Sequence, residues 1–394
     1  MKKTLIAAVA ASFALVGAAS AQEVKIGVIL GFTGPLESIT PDMAAGAELA
    51  MKEVSEAGGI LGGTIVTPVR GDSTCIDAAA ATAAAERLIT SEGVAAIMGA
   101  DCSGVTTAIL QNVAMPNGVV MISPSATSPA LSTIEDNGLF FRTAPSDARQ
   151  GVIVTEILRG KGVNEIAISY TNNDYGKGLA DSIETNFKAA GGTVTLNAPH
   201  EDGKADYSAE IGALASAGGE VLVVAGYLDQ GGKGIIQAAL DSGAFDTFYL
   251  PDGMVGDSLP AAIGADLNGS YGALPGTDSE GAAIFAQLAE QAGFKVGAFS
   301  PESYDAAALL MLAMEKAGST ASADFAKEVL GIANAPGEQI LPGQLKKAID
   351  IIRAGGEVDY VGASAVELIE PGESAGNYRE IAIQDGAITT VGFR

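Results

Sequence analysis

Between Val94 and Pro129 the chain reads VAAIMGADCSGVTTAILQNVAMPNGVVMISPSATSP. A short apolar run, Val94–Gly99, meets a polar turn at Asp101-Cys102-Ser103-Gly104, and a helical run starts at Val105. A second apolar run, Val119–Ser123, then ends in Pro124-Ser125-Ala126-Thr127-Ser128-Pro129. Strand, crossover helix and strand in succession form the repeating unit of a parallel sheet covered by helices.

The same alternation runs outward in both directions. Upstream lie candidate strands Val24–Leu30 and Thr64–Val69, and downstream lies Leu139–Arg142. A second series follows at Glu165–Tyr170, Thr193–Asn197, Val221–Gly226 and Thr247–Leu250. The first helix is read from Thr40 as N-cap and Pro41 as first helical residue. Met43, Ala47, Ala50, Met51 and Val54 recur at helical spacing, and Gly58-Gly59 ends the run. A second helix-plus-turn unit spans Asp174 to Gly192. Phe141 to Ser146 reads as a connection between two lobes, and Asn268 to Gly276 as a Gly-rich segment. Helices resume at Ser279–Ala292 and Pro301–Ala317. Residues 366–393 alternate around turns at Pro371-Gly372 and Asp385-Gly386, which is hairpin material.

The first 21 residues have the form of a secretory signal. Lys2 and Lys3 precede an apolar stretch from Thr4 to Val16, and Ala19-Ser20-Ala21 supplies the small-x-small cleavage pattern. The apolar core, about 13 residues, falls short of the roughly 20 that span a bilayer. Cleavage after Ala21 is expected, with release into the periplasm. The remaining length suits two domains with a core each. The formal net charge of the 394-residue chain is −25. Such a surface favours solubility and repels nucleic acid and anionic lipid. Cys75 and Cys102 are the only cysteines. In an oxidising compartment an even pair usually closes, the alternative being two buried thiols.

Catalytic readings find little support. Gly58 to Gly63 follows a helix and precedes a strand, the reverse of a dinucleotide fingerprint. Gly231-Gly232-Lys233-Gly234 lacks the Ser or Thr and the earlier Gly of a phosphate loop. The only histidine, His200, sits in a polar stretch read as a solvated loop, and no G-x-S-x-G elbow surrounds a serine. The chain is therefore read as a non-enzyme with no cofactor and no metal.

Open α/β sheets bind ligands beyond the C-terminal ends of their strands. In the first series those ends deliver Ser103, Ser125 and Thr127 beside helix starts, an arrangement suited to a carboxylate; ordinary N-capping is the other reading. In the second series they deliver Tyr227 and Asp252. A phenol and a carboxylate suit an ammonium group. A rim aromatic and a plain Pro-Asp-Gly turn are the alternatives. Together the two sets would clamp an amino acid between lobes.

In its ordered pieces the chain resembles the type I periplasmic substrate-binding proteins of the branched-chain amino acid (Leu/Ile/Val-binding) ABC transporter family. The pieces are Val24-Lys25-Ile26-Gly27-Val28 with Thr33-Gly34-Pro35; Gly46-Ala47-Glu48-Leu49-Ala50; Gly58-Gly59-Ile60; Cys75 with Cys102-Ser103; Ile122-Ser123-Pro124-Ser125-Ala126-Thr127; Phe141-Arg142-Thr143; Asp174-Tyr175-Gly176; and Tyr304-Asp305-Ala306. The resemblance implies a two-lobed fold in which each lobe is a mostly parallel sheet flanked by helices, with three crossings between lobes. The first lobe would hold residues 22–143 and 277–357, the second 144–276 and 358–394. It further implies that Ser103, Ser125, Ala126 and Thr127 hold a ligand carboxylate and that Tyr227 and Asp252 hold an ammonium. Tyr175 would line the second lobe, Phe299 would lie near the ligand side chain, and Cys75 would pair with Cys102. The implied partners are an amino-acid-like solute and a membrane permease, or alternatively a membrane signalling protein, served by a monomer. Two departures bear on pocket shape. Ile39-Thr40-Pro41 stands where the family often has an aromatic and Gly, and Asp252 stands where leucine-binding members have Glu.

Overall fold

The computed structural model describes residues 22–394, so the expected signal segment lies outside the described residues. Among the described residues no helix is long and apolar enough to cross a membrane.

Strands β1 (Glu23–Leu30), β2 (Ile65–Asp72), β3 (Ala96–Gly99), β4 (Met121–Ser123) and β5 (Phe140–Pro145) alternate with helices, as do β6 (Glu165–Thr171), β7 (Thr193–His200), β8 (Val221–Ala225), β9 (Phe248–Leu250) and β10 (Tyr271–Pro275). A small pair, β11 (Glu338–Ile340) and β12 (Val358–Tyr360), precedes β13 (Leu368–Ile369), β14 (Glu373–Ser374), β15 (Tyr378–Gln384) and β16 (Ala387–Phe393). The strands form two seven-stranded sheets, ordered β13-β14-β5-β4-β3-β1-β2 and β16-β15-β10-β9-β8-β6-β7. In each, the first five strands run parallel in the doubly wound order, with the switch point between β1 and β3 or between β6 and β8. β1 is apolar almost without interruption because helices cover both faces of its sheet.

The nine strands expected from the sequence all form, with ends shifted by a few residues. A tenth, β10, runs through the stretch read as a Gly-rich segment. Gly272 lies so close to the Leu250 carbonyl that a Cβ there would meet it at 1.9 Å, so the glycine marks close strand packing. Both expected hairpins exist, but they belong to different sheets: β13 and β14 extend the first, β15 and β16 the second. The third crossing therefore falls between Ser374 and Tyr378, later than the expected boundary at 358. The physical reason is that β14 pairs with β5.

The helix Thr40–Glu56 starts one residue earlier than read, with Ile39 at the N-cap position. The Thr40 hydroxyl donates instead to the Gly31 carbonyl at 3.0 Å, satisfying an acceptor left at the end of β1. Against this helix packs Ser300–Ala317, whose residues 302–315 are all buried. Gly46 permits that approach, since a Cβ there would lie 2.4 Å from the Ser300 carbonyl oxygen.

Cys75 and Cys102 are joined in a disulfide, with Cα atoms 5.2 Å apart. His200 is a correction to the sequence reading. It is the last residue of β7 and 1% exposed, with Nδ1 2.8 Å from the Ser169 hydroxyl. Strand pairing carries the polar stretch into the sheet, and burial pushes the imidazole down to about 4.

Candidate ligand site between the lobes

The end of β3 is where the first lobe builds its polar edge. Asp101 is buried, and its carboxylate accepts from the Gly31 amide and the Ser73 hydroxyl, both at 2.9 Å. It thereby ties together the ends of β1, β2 and β3 and holds the turn that carries Ser103. Ser103 is buried as well, and its hydroxyl accepts from the Ser128 amide at 3.1 Å. Ser123 folds the next turn by donating to the Ala100 carbonyl at 2.6 Å and accepting from the Ala126 amide at 2.9 Å. The Ser125 hydroxyl donates to the Asp101 carbonyl. None of the Ser103, Ser125 and Thr127 hydroxyls caps a helix; the neighbouring Ser128 does, accepting weakly from the Ala130 amide. The Thr127 hydroxyl is fully buried and lies beside the Asp147 carboxyl.

Arg142 holds this loop from behind. Its guanidinium is buried and donates to the carbonyls of Ala126 and Ser128, to the Ser132 hydroxyl and to Glu373. Because a trans peptide points its C=O and N–H in opposite directions, taking up the Ala126 carbonyl turns the Thr127 amide away from Arg142. The Phe-Arg-Thr piece is thus a brace for the 126–132 loop.

The second lobe answers with Tyr175, Tyr227 and Asp252, all buried. Asn173 caps the helix Asp174–Ala189 by accepting from the Gly176 amide, which places Tyr175 in the first turn. The rings of Tyr175 and Tyr227 stack with centroids 5.1 Å apart. Tyr227 is 3% exposed, so it is not a rim aromatic in this closed arrangement. The Tyr175 hydroxyl donates to Asp252 Oδ1 at 2.6 Å, and the Gly253 amide donates to the same oxygen at 2.8 Å. The Pro-Asp-Gly turn does form, with the Met254 amide on the Pro251 carbonyl, but Asp252 Oδ2 remains buried without a partner. Burial raises the Asp252 carboxyl above its ordinary range, partly offset by hydrogen bonds from Tyr175, Gln150 and Gly253.

Several neighbours of Asp252 were not singled out from the sequence. Asp147, Gln150 and Tyr378 are buried beside it. Gln150 donates to Asp147 Oδ1 at 3.2 Å, and the Asp147 amide donates across the lobes to the Thr127 carbonyl at 2.8 Å. The Asp147 carboxyl is pushed well above its ordinary range, first by burial and then by the charge of Asp252. Asp147 carried one local signal, Ser146 as an N-cap, but that marks a helix start and not a site. Tyr378 carried none, because it arrives from the far end of the chain after the third crossing.

Phe299 stands apart from this cluster. It takes a left-handed conformation (φ 59°) before the helix Ser300–Ala317 and lines a small cavity of about 80 Å³ with Leu274, Glu302 and Arg379. The cleft opens to solvent elsewhere. A cavity of about 420 Å³ lies between Cys75, Ile76, Gly104 and Val105 on one lobe and Asn172, Asn173, Asp174 and Asp202 on the other.

Two doubly wound lobes joined by three strand crossings, with polar strand ends meeting in a closed cleft, define a type I periplasmic binding protein. The chain belongs to the periplasmic binding protein family, whose model matches residues 23–337. It is 31% identical over 334 residues to Leu/Ile/Val-binding protein homolog 1 of Brucella suis, covering 83% of this chain and 88% of that one. It is 28% identical to the chemotactic signal transduction system substrate-binding protein BasB of Halobacterium salinarum, covering 94% and 89%. The fold matches the leucine binding protein LivK of Thermotoga maritima with a TM-score of 0.78, at 23% identity over 94% of this chain and 98% of that one.

Proposed function

We propose that the protein captures an amino acid in the periplasm by lobe closure and delivers it to the membrane permease of an ABC importer. The observation that carries this reading is the pairing of two chemistries across one cleft. Hydroxyls and turn amides around Ser103, Ser125, Ala126 and Thr127 suit a carboxylate, and Asp252 with Tyr227 suits an ammonium. Closure excludes water and strengthens both sets of contacts. Tyr175 is assigned to the wall around the ligand, whereas Phe299, in its separate small cavity, is not. The relatives' Leu/Ile/Val-binding name supports a branched-chain or similar amino acid.

A second reading, the same receptor reporting to a membrane signalling protein, is favoured by the likeness to BasB. Mass spectrometry of solutes released by unfolding the purified protein, followed by calorimetry with an amino-acid panel, tests ligand capture. Absence of binding to every amino acid would remove the reading. Uptake of the bound solute by cells, lost when the gene for this protein is deleted and restored when it is returned, separates import from signalling.

A further inference from the structure

The three crossings between the lobes converge on one acid. Glu302 stands in the first turn of the helix Ser300–Ala317, which belongs to the first lobe. The Thr143 hydroxyl, on β5 just before the first crossing, donates to the Glu302 carbonyl at 2.8 Å. The Glu302 side chain lines the cavity of about 80 Å³ together with Leu274 to Thr277, where the second crossing begins, and with Arg379, on β15 just after the third. These two crossings are tied to each other, since the Gly276 amide donates to the Asn377 carbonyl at 3.0 Å. The cavity walls thus come from both lobes, and a rotation of one lobe against the other changes the space between them.

Glu302 is 2% exposed, and its Oε2 is buried with no hydrogen-bond partner. Two charged groups face it. Arg379, half-buried on β15, stands off across the cavity without bonding that oxygen. Asp305, one turn along the same helix, is already saturated: it accepts from the Tyr360 hydroxyl, the Ala363 amide, and both the amide and the hydroxyl of Ser364. The second crossing and the loop at Ala363-Ser364 bring no charge to the cavity. An ionised carboxylate in this place loses its water and gains no bond to Oε2, whereas the neutral acid avoids most of that cost. Burial accordingly pushes the Glu302 carboxyl up to about 8; its own backbone amide and Arg379 oppose the shift, and the charge of Asp305 adds to it.

We propose that Glu302 is a proton-binding hinge site, neutral while the lobes are closed and ionised, facing Arg379 and water, when they open. Ligand capture then takes up a proton. The inference rests on the lobe closure of the reading above and not on the ligand being an amino acid. None of Ser103, Ser125, Thr127, Tyr227 and Asp252 lines this cavity, so Glu302 acts through the angle between the lobes. The sign follows from linkage. A group that is protonated in the closed form and ionised in the open one favours closure at low pH. Affinity is therefore highest where the open form is also protonated, in the ordinary carboxylate range, and falls as pH rises to about 8.

The test is calorimetry with L-leucine, L-valine and L-alanine at pH 7 in phosphate and in Tris, two buffers with different heats of ionisation. It is run on the unaltered protein and on Glu302→Gln, in which glutamine keeps the shape of the neutral acid and cannot ionise. The unaltered protein should take up about one proton more per ligand than the variant. From pH 6 to pH 8 its affinity should fall about tenfold or more, while that of Glu302→Gln should hold within about threefold. Equal proton uptake, or an equal fall in both proteins, overturns the inference and leaves the amino-acid reading standing on the binding itself. If Glu302→Gln does not fold, the buffer comparison on the unaltered protein decides, and no uptake overturns the inference. If none of the three amino acids binds, the amino-acid reading falls, and small-angle scattering of the ligand-free proteins at pH 8 decides. Glu302→Gln should then be the more compact, and equal radii of gyration overturn the inference.

Discussion

Asp229 of the second lobe accepts a hydrogen bond from the amide of Ser38 in the first, at 2.9 Å. The same residue's amide donates to the Pro35 carbonyl at 3.0 Å, and its other carboxylate oxygen takes the Ser258 hydroxyl at 2.7 Å. The bonds to Ser38 and Pro35 join the lobes, and the Ser258 bond holds the Asp229 carboxylate in place, so together they favour the closed cleft. Asp229→Ala removes the carboxylate bonds but keeps the backbone one. The one lost interlobe bond contributes about 0.5–1.5 kcal/mol, so affinity should fall roughly 2- to 13-fold, expressed mainly as faster release. Stopped-flow dissociation measures this. Small-angle scattering on the unaltered protein should show the radius of gyration shrinking when ligand is added, and an unchanged profile would count against closure.

Asp252 is expected to carry more binding energy than Ser103. Asp252→Ala would leave a buried cation without its partner, at a cost on the order of 3–5 kcal/mol. Ser103→Ala should cost about 1–2 kcal/mol, because turn amides share the carboxylate. The Ser103 variant also loses the bond from the Ser128 amide, so part of its effect should appear as a lower melting temperature without ligand. Calorimetry and thermal unfolding on both variants separate the two contributions.

The disulfide pins the loop after β2 to the turn after β3. Closing this loop stabilises the fold by about 3–4 kcal/mol on the chain-entropy estimate. Unfolded, unreduced protein should show no free thiol. Reduction should lower the melting temperature, and a melting curve indifferent to reductant would contradict a stabilising role.

His200 provides a clean pH probe, being the only histidine. Its pKa is lowered from 6.5 to about 4 in the folded protein, chiefly by burial, with Glu210 opposing weakly. The unfolded chain therefore binds the extra proton first as pH falls. The stability contributed by the neutral buried ring is present above pH 6.5 and is lost progressively as pH drops toward 4. Denaturant titrations at pH 7 and pH 4.5 should show this loss, and His200→Gln should reduce it. In proton NMR the single imidazole should begin to titrate only near pH 4; a midpoint near 6.5 would refute its burial.

Much of the architecture could be read from local pattern. The nine strands, the glycine-terminated helices and the hairpins follow from periodicity, because apolar spacing reports which face an element must bury. The strand-end residues Ser103, Thr127, Tyr227 and Asp252 were legible for a related reason: in a parallel sheet the C-terminal ends lie on one edge, whatever the intervening helices do. What spacing alone leaves open is which distant segments meet. Strand pairing brought His200 into the sheet and carried β13 and β14 into the first lobe. The crossings set Asp147 and Gln150 against Asp252, with Tyr378 beside them, although some 230 residues of chain separate the first from the last. Burial and the pairing of charges depend on position in space, so the acid pair exists only once the second lobe, which supplies both acids, Gln150 and Tyr378, has folded.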